Sequence, residues 1–156
     1  MKVLIVYDTV SPMRCTEKVA ETISGTLKET EVEVDLLFVK DVDATVLENY
    51  DCLIAGAPTM AFRASTDMRK FLENLPKDFS GKFAAAFDTQ VQSRISGSAV
   101  KGIEDKLKKI GFKLITAPLV AYVEGKMNAY HLKEGELEKA KKWAQALAET
   151  LQSQSS

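Results

Sequence analysis

Apolar and polar positions divide the chain into five blocks, each an apolar run that ends in a polar or glycine-containing loop and leads into a helical pattern. The first run is apolar without interruption from Val3 to Tyr7, which is typical of a strand covered on both faces. The pattern predicts five strands, at 2–7, 32–39, 51–55, 82–87 and 113–123, the last interrupted by Pro118. It predicts helices at 16–30, at 65–75, from the cap Ser98 to Gly111 and at 134–151, with a short helix or turn at 41–49.

Strands that alternate with helices over short connections indicate right-handed crossovers and a doubly wound α/β sheet. The run at 32–39 starts with alternating polar and apolar residues, which favours a strand at the sheet edge. Because no repeat, low-complexity block or linker interrupts the pattern, we expect one domain at 1–151 and a flexible tail at 152–156.

The composition of the chain argues against several classes of protein. Apolar residues make up 46% of the 156 residues and charged residues 28%, with a net charge of −1, so neither nucleic acid nor a membrane is indicated as a partner. The apolar runs are too short to span a bilayer, and no leader pattern opens the chain. Cys15 and Cys52 are too few for a disulfide framework, and a single histidine, His131, argues against a metal site. We expect a cytoplasmic protein.

The first strand-to-helix turn carries the clearest chemistry. A hydroxyl-rich loop runs from Asp8 to Cys15, and a helix opens at Thr16 and Glu17, a pattern that aims backbone N–H groups and a helix dipole at one place. Two more loops, at 56–64 and 88–97, reach the same carboxyl edge of the sheet, and all three are rich in hydroxyls and poor in fixed charge. The sequence therefore predicts a site for a phosphorylated small molecule with an amide-edged ring.

The chain resembles the flavodoxin-like family over nearly its whole length. The residues that carry the likeness are VLIVYDTVSPMRCTEKVAETI, DCLIAGAPTMAFRASTDMRKFLENL and FAAAFDTQVQSRISGSAVKGIEDKLKKIGFKLI. They are similar to small microbial flavodoxins and to the flavodoxin domain of flavodiiron proteins. The resemblance implies a three-layer sandwich around a five-stranded parallel sheet in the order 2-1-3-4-5.

The same resemblance implies non-covalent FMN, with its phosphate on the first loop and its isoalloxazine ring between the second and third. The implied cofactor-binding residues are Thr9, Ser11, Met13, Arg14, Cys15, Thr16, Pro58, Thr59, Met60, Ala61, Phe62, Asp88, Thr89, Gln90 and Gly97. Two features depart from the family pattern. No glycine lies between Asp8 and Thr16, where Pro12 also removes an amide donor, and Phe62 is the only aromatic residue of the second and third loops.

The resemblance implies an electron carrier, a monomer or weak dimer, that exchanges electrons with redox proteins such as a ferredoxin, a reductase or an acceptor enzyme. No catalytic residue belongs to such a function. An FMN-dependent oxidoreductase acting on quinones or NAD(P)H, and an FMN-free interaction module of the same fold, are alternatives. A phosphorylated signalling receiver is excluded because the third predicted strand ends in Ala55, Gly56 and Ala57 rather than in an aspartate.

Overall fold

The computed structural model describes residues 1–93, 97–126 and 128–155. The described residues form four α-helices: α1 (Cys15–Lys28), α2 (Thr66–Glu73), α3 (Ala99–Lys109) and α4 (Glu136–Ser155). Two 3-10 helices follow the second strand, at Val39–Asp41 and Ala44–Asn49. The strands are β1 (Lys2–Tyr7), β2 (Glu33–Phe38), β3 (Cys52–Met60), β4 (Arg63–Ala64), β5 (Phe83–Val91), β6 (Lys113–Leu114), β7 (Leu119–Glu124) and β8 (His131–Leu132).

The sheet confirms the predicted fold class. Five parallel strands lie in the order β2-β1-β3-β5-β7, which is the expected 2-1-3-4-5 arrangement of a doubly wound sheet. The predicted count of five strands is wrong, because eight are present among the described residues. β4 pairs antiparallel with β3, β8 pairs antiparallel with β7, and β6 is a separate short strand parallel to β5. β6 and β7 together replace the fifth predicted strand, which breaks before Pro118 because proline cannot donate to the ladder.

Helices cover both faces of the sheet, which makes the fold a three-layer sandwich. Alternate residues of β1 enter two separate cores: Leu4 and Val6 pack with α2 and α3, whereas Val3 and Ile5 pack with α1 and α4. All four side chains are fully buried, which explains the uninterrupted apolar run in the sequence. Among the described residues, no helix is both long enough and apolar enough to cross a bilayer.

Several helices and strands end at other residues than the sequence predicts, and some of these differences affect the residues of the candidate site. β3 and β5 run on to Met60 and Val91, so that polar residues expected in loops lie in strands. Long-range pairing holds them there, because Pro58 lies opposite Thr89 in the β3–β5 ladder. Residues 152–155 of the predicted tail are helical, and the flexibility of that tail stays a prediction.

Candidate functional site

A tight hairpin occupies the tip of β3 at the carboxyl edge of the sheet. β3 and β4 pair through Met60 and Arg63, which leaves Ala61 and Phe62 as a two-residue turn. Both turn residues have positive φ, 49° and 74°, a conformation that such turns normally fill with asparagine and glycine. The Phe62 side chain is 64% exposed. The hairpin therefore holds an aromatic ring out toward solvent on a strained turn.

Gly97 brings the third loop against this turn. It forms an isolated parallel bridge with Phe62, and its own φ is 67°. A Cβ at position 97 would lie 2.7 Å from Cδ1 and 2.9 Å from Cα of Phe62, which is too close for any side chain. Glycine is thus required both by its φ and by the close approach of the two loops.

Asp88 lies under the hairpin and joins it to α3. Its Oδ2 accepts hydrogen bonds from Thr59 Oγ1 (2.9 Å), Gln90 Nε2 (2.8 Å), Ser98 Oγ (3.0 Å) and the Ala99 backbone N–H (3.2 Å). Its Oδ1 is buried without a hydrogen-bond partner. Burial raises the pKa of this carboxyl above its ordinary value, although the four donors oppose the shift. One carboxylate oxygen thus ties together β3, β5 and the first residues of α3.

The first loop places a cation at the start of α1. The helix predicted to open at Thr16 begins one residue earlier, at Cys15, and its N-cap residue is Arg14, in the left-handed region with φ 54°. Arg14 is ion-paired with Glu17, and Tyr7 Oη donates to Glu17 Oε1 at 2.7 Å. Burial and the Glu17 carboxylate raise the pKa of Tyr7 to about 12, so the phenol stays protonated and keeps Glu17 in position. The guanidinium is therefore anchored beside the loop while staying exposed.

Buried polar residues brace the base of the three loops. The hydroxyls of Thr16 and Thr89 lie 2.7 Å apart and connect α1 to β5. Cys15 Sγ donates to the Tyr130 carbonyl at 3.4 Å, and burial raises the pKa of the thiol, which disfavours a reactive thiolate. Ser65, the N-cap residue of α2, donates to Asp8 Oδ2 at 2.5 Å rather than capping its own helix.

The exposed large apolar side chains concentrate at this edge. Five of the six among the described residues follow β1, β3 or β5, or end one of these strands: Val10, Met13, Met60, Phe62 and Val91. The first loop also borders an open cleft of about 640 Å³, whose walls include Thr9, Ser11, Arg14 and the aromatic side chains of Tyr7 and Phe38. An apolar patch next to a hydroxyl- and cation-bearing loop suits a ligand with a flat ring and an anionic group.

Comparison with known proteins identifies the family. The sequence model of the flavodoxin family matches residues 5–143. The chain belongs to the flavodoxin family. A flavodoxin from Clostridium beijerinckii is 28% identical over 111 residues, which span 70% of this chain and 79% of that protein. Flavodoxins are FMN-type electron carriers, which confirms the cofactor and the family that the sequence resemblance implied.

Solved structures agree with this assignment. The structure of flavodoxin 2 from Bacillus cereus is 28% identical, with a TM-score of 0.79, and the match covers 96% of this chain and 99% of that one. The rubredoxin:oxygen oxidoreductase of Desulfovibrio gigas shares the fold, with 21% identity and a TM-score of 0.77. That match covers 97% of this chain but 36% of the longer protein.

The residues at the carboxyl edge fit the cofactor of the family. Exposed Met60 and Phe62 offer apolar surface to a flavin ring, and the amides at the start of α1 and Arg14 offer donors to a phosphate. The bracing bonds beneath the loops keep those groups in place before any ligand arrives. Among the described residues, no group of three His, Cys, Asp or Glu side chains is arranged to hold a metal ion.

The structure brings the predicted site residues to one edge but gives them different exposures. Met13, Arg14, Met60, Ala61, Phe62 and Gly97 are exposed, and Thr9, Ser11, Pro58 and Thr59 are half-buried. Cys15, Thr16, Asp88, Thr89 and Gln90 are buried, and each is hydrogen-bonded to other protein groups. Contact of each residue with FMN stays a prediction. The sequence did not predict the Tyr7–Glu17 pair or the apolar surface of Val10 and Val91. For the two valines, the only indication in the sequence is that they lie at a strand end or just beyond one.

Proposed function

We propose that this chain carries electrons on an FMN held at the carboxyl edge of the sheet. The observation that carries the proposal is the concentration of exposed apolar side chains at the three loops, which hold five of the six exposed large apolar side chains among the described residues. FMN, when bound, accepts and releases one or two electrons. The protein's part is to bind the group, orient it and leave one edge accessible.

The first loop would hold the phosphate. Proline at position 12 leaves the loop one amide donor short. Arg14 would compensate with its guanidinium, which is exposed and is held at the N-terminus of α1 by its ion pair with Glu17. Thr9 and Ser11, both half-buried in the same loop, add hydroxyl donors.

The second and third loops would hold the ring. Phe62 is exposed at the hairpin tip, and Met60 offers apolar surface beside it. Gly97 lets the third loop close against Phe62, and Asp88 fixes the relative position of the two loops through Thr59 and Ser98. The buried carboxylate acts here by positioning rather than by contact with the ring.

Partners of the carrier would be redox proteins, such as a ferredoxin, a reductase or an acceptor enzyme. The cytoplasmic location and the monomeric or weakly dimeric state stay predictions from the sequence. We assign no catalytic acid, base or nucleophile to the site.

The test is a titration of the FMN-free protein with FMN and with riboflavin, followed by flavin fluorescence quenching. FMN should bind at least about tenfold more tightly than riboflavin, which corresponds to about 1.4 kcal/mol from the phosphate. Arg14→Ala should reduce this ratio, whereas Lys18→Ala, which removes an exposed cation one turn further along α1, should leave it unchanged. A protein that binds neither flavin at micromolar concentration would refute the proposal.

A further inference from the structure

A second concave feature lies between α2 and α3, next to the hairpin. It has a volume of about 140 Å³ and is lined by three basic side chains, Arg63, Arg69 and Lys106. Its floor is apolar and includes the buried side chains of Leu72 and Ile103. We call this feature the α2–α3 groove. Of these residues, Arg63 belongs to strand β4 of the hairpin, and none is among the residues expected to contact the cofactor.

The basic side chains of the groove outnumber the carboxylates that line it. Arg69 donates from Nε to the Ala64 carbonyl at 3.0 Å and from Nη2 to Thr66 Oγ1 at 3.2 Å, two uncharged acceptors that fix the guanidinium without cancelling its charge. Within the described ranges, no ion pair involves Arg63, Arg69 or Lys106. Glu73 also lines the groove, so three cations face one carboxylate.

Open space lies beside Gly102 in the groove. It lies inside α3 and lines the groove, and a Cβ at that position would meet nothing within 4 Å. Glycine inside a helix is unfavourable compared with alanine, and neither packing nor φ requires it here. The space above Gly102 is therefore available to a group from outside the chain.

Charge is distributed unevenly along the sequence in a way that favours one kind of partner. Arg63, α2 and α3 together carry seven Lys or Arg and four Asp or Glu, whereas residues 1–62 carry five and eleven. An acidic partner is attracted to the α2 and α3 side and repelled by the segment that contains β1, α1 and β2.

We propose that the α2–α3 groove docks a redox protein with an acidic surface, whose carboxylates pair with Arg63 and Lys106 over the apolar floor. This inference rests on the proposed electron-carrier function. The groove and the hairpin share β4, in which Arg63 lies directly opposite Met60, so a partner seated in the groove stands beside the exposed edge of the cofactor site. Docking and electron exchange then use adjacent surfaces.

The test uses the FMN-loaded protein, labelled with ¹⁵N, and two probes of opposite charge. An acidic [2Fe–2S] ferredoxin should perturb the amide signals of Arg63, Arg69 and Gly102 first, and its affinity should fall as ionic strength rises. A basic c-type cytochrome should leave those signals unchanged. Arg63→Glu combined with Lys106→Glu should weaken ferredoxin binding about tenfold or more. Lys142→Glu, one exposed charge reversal on α4 at the opposite face, should change it less than about threefold.

Occlusion of the groove gives an independent readout. Gly102→Leu should weaken ferredoxin binding, whereas Gly25→Leu, at an exposed glycine in α1 that also has nothing within 4 Å of a Cβ, should not. Flavin absorbance of each variant separates the two proposals, since loss of FMN is seen before any partner is added. Binding of ferredoxin away from α2 and α3, equal affinity in the charge-reversed variant, or perturbation of the groove by cytochrome would overturn the inference.

Discussion

Gly97→Ala should weaken FMN binding by disturbing the contact between the third loop and the hairpin. Alanine at this position meets two separate penalties. Its φ of 67° costs an L-residue about 1–2 kcal/mol, and its Cβ would lie 2.9 Å from Cα of Phe62, a backbone atom that cannot rotate away. The steric part adds about 1–3 kcal/mol if the loops keep their positions.

The hairpin and the third loop can relieve this clash at a lower cost in free energy by moving apart. Phe62 is 64% exposed and the turn that carries it is strained, so little packing opposes a displacement of the hairpin tip. The free protein would then lose little stability beyond the backbone penalty, but FMN binding would have to restore the close approach. If 1.4 kcal/mol of the steric penalty reappears on binding, the affinity for FMN falls about tenfold.

Gly81→Ala is the matched control. Gly81 has a φ of 88°, yet a Cβ there would meet nothing within 4 Å, so the substitution imposes the backbone penalty without the clash. It should lower the free energy of unfolding by about 1–2 kcal/mol and leave the FMN affinity unchanged. Fluorescence titrations with FMN and urea unfolding curves measure both quantities. Wild-type affinity in Gly97→Ala, or an equal loss of affinity in Gly81→Ala, would refute the role given to the contact with Phe62.

Three more outcomes follow from other contacts. Gly56→Ala should destabilise the protein by about 1–3 kcal/mol in urea unfolding, because the new Cβ would overlap the buried ring of Phe87. Adding Phe87→Leu should recover part of this loss, and strictly additive effects of the two substitutions would contradict the explanation. Phe62→Ala should weaken FMN binding with little change in unfolding, since the ring is exposed; an unchanged flavin affinity would remove Phe62 from the site. Asp88→Asn should gain stability relative to the wild type as pH rises above 3.8. Because the pKa of Asp88 is raised in the folded state, the folded wild type binds this proton more tightly than the unfolded chain does, and it loses stability as the proton dissociates. A stability difference between the two proteins that does not change with pH would be inconsistent with this.

The parallel framework could be predicted from the sequence because its signal is local. β1 coincides with the uninterrupted apolar run that precedes the first polar loop, whereas the order of the parallel strands is what the family resemblance implies. The ends of β3 and β5 could not be predicted in this way. Pro58 and Asp88 are poor strand formers, and both stay in strands because they pair with residues far away in the sequence.

The cap of α1 shows a second limit of local patterns. Thr16 is a good cap by residue type, but its hydroxyl is bonded to Thr89, and the helix starts one residue earlier, after Arg14 in a left-handed conformation. Nothing in the local sequence identifies a threonine 73 positions away as the competing partner. The same reasoning applies to Ser65, whose hydroxyl is bonded to Asp8.

These hydrogen bonds give the hydroxyl groups of the three loops a different role from the predicted one. The sequence pattern predicts that the hydroxyls at the strand ends donate to a ligand, whereas in the structure Thr16, Thr59 and Thr89 bond to other protein groups and join neighbouring elements. The carboxyl edge is therefore held rigid by internal polar contacts, and what remains exposed is mainly apolar surface and Arg14. A flavin at this edge would be bound largely by contact with apolar side chains and by one fixed cation, because most of the hydroxyls are already engaged with the protein.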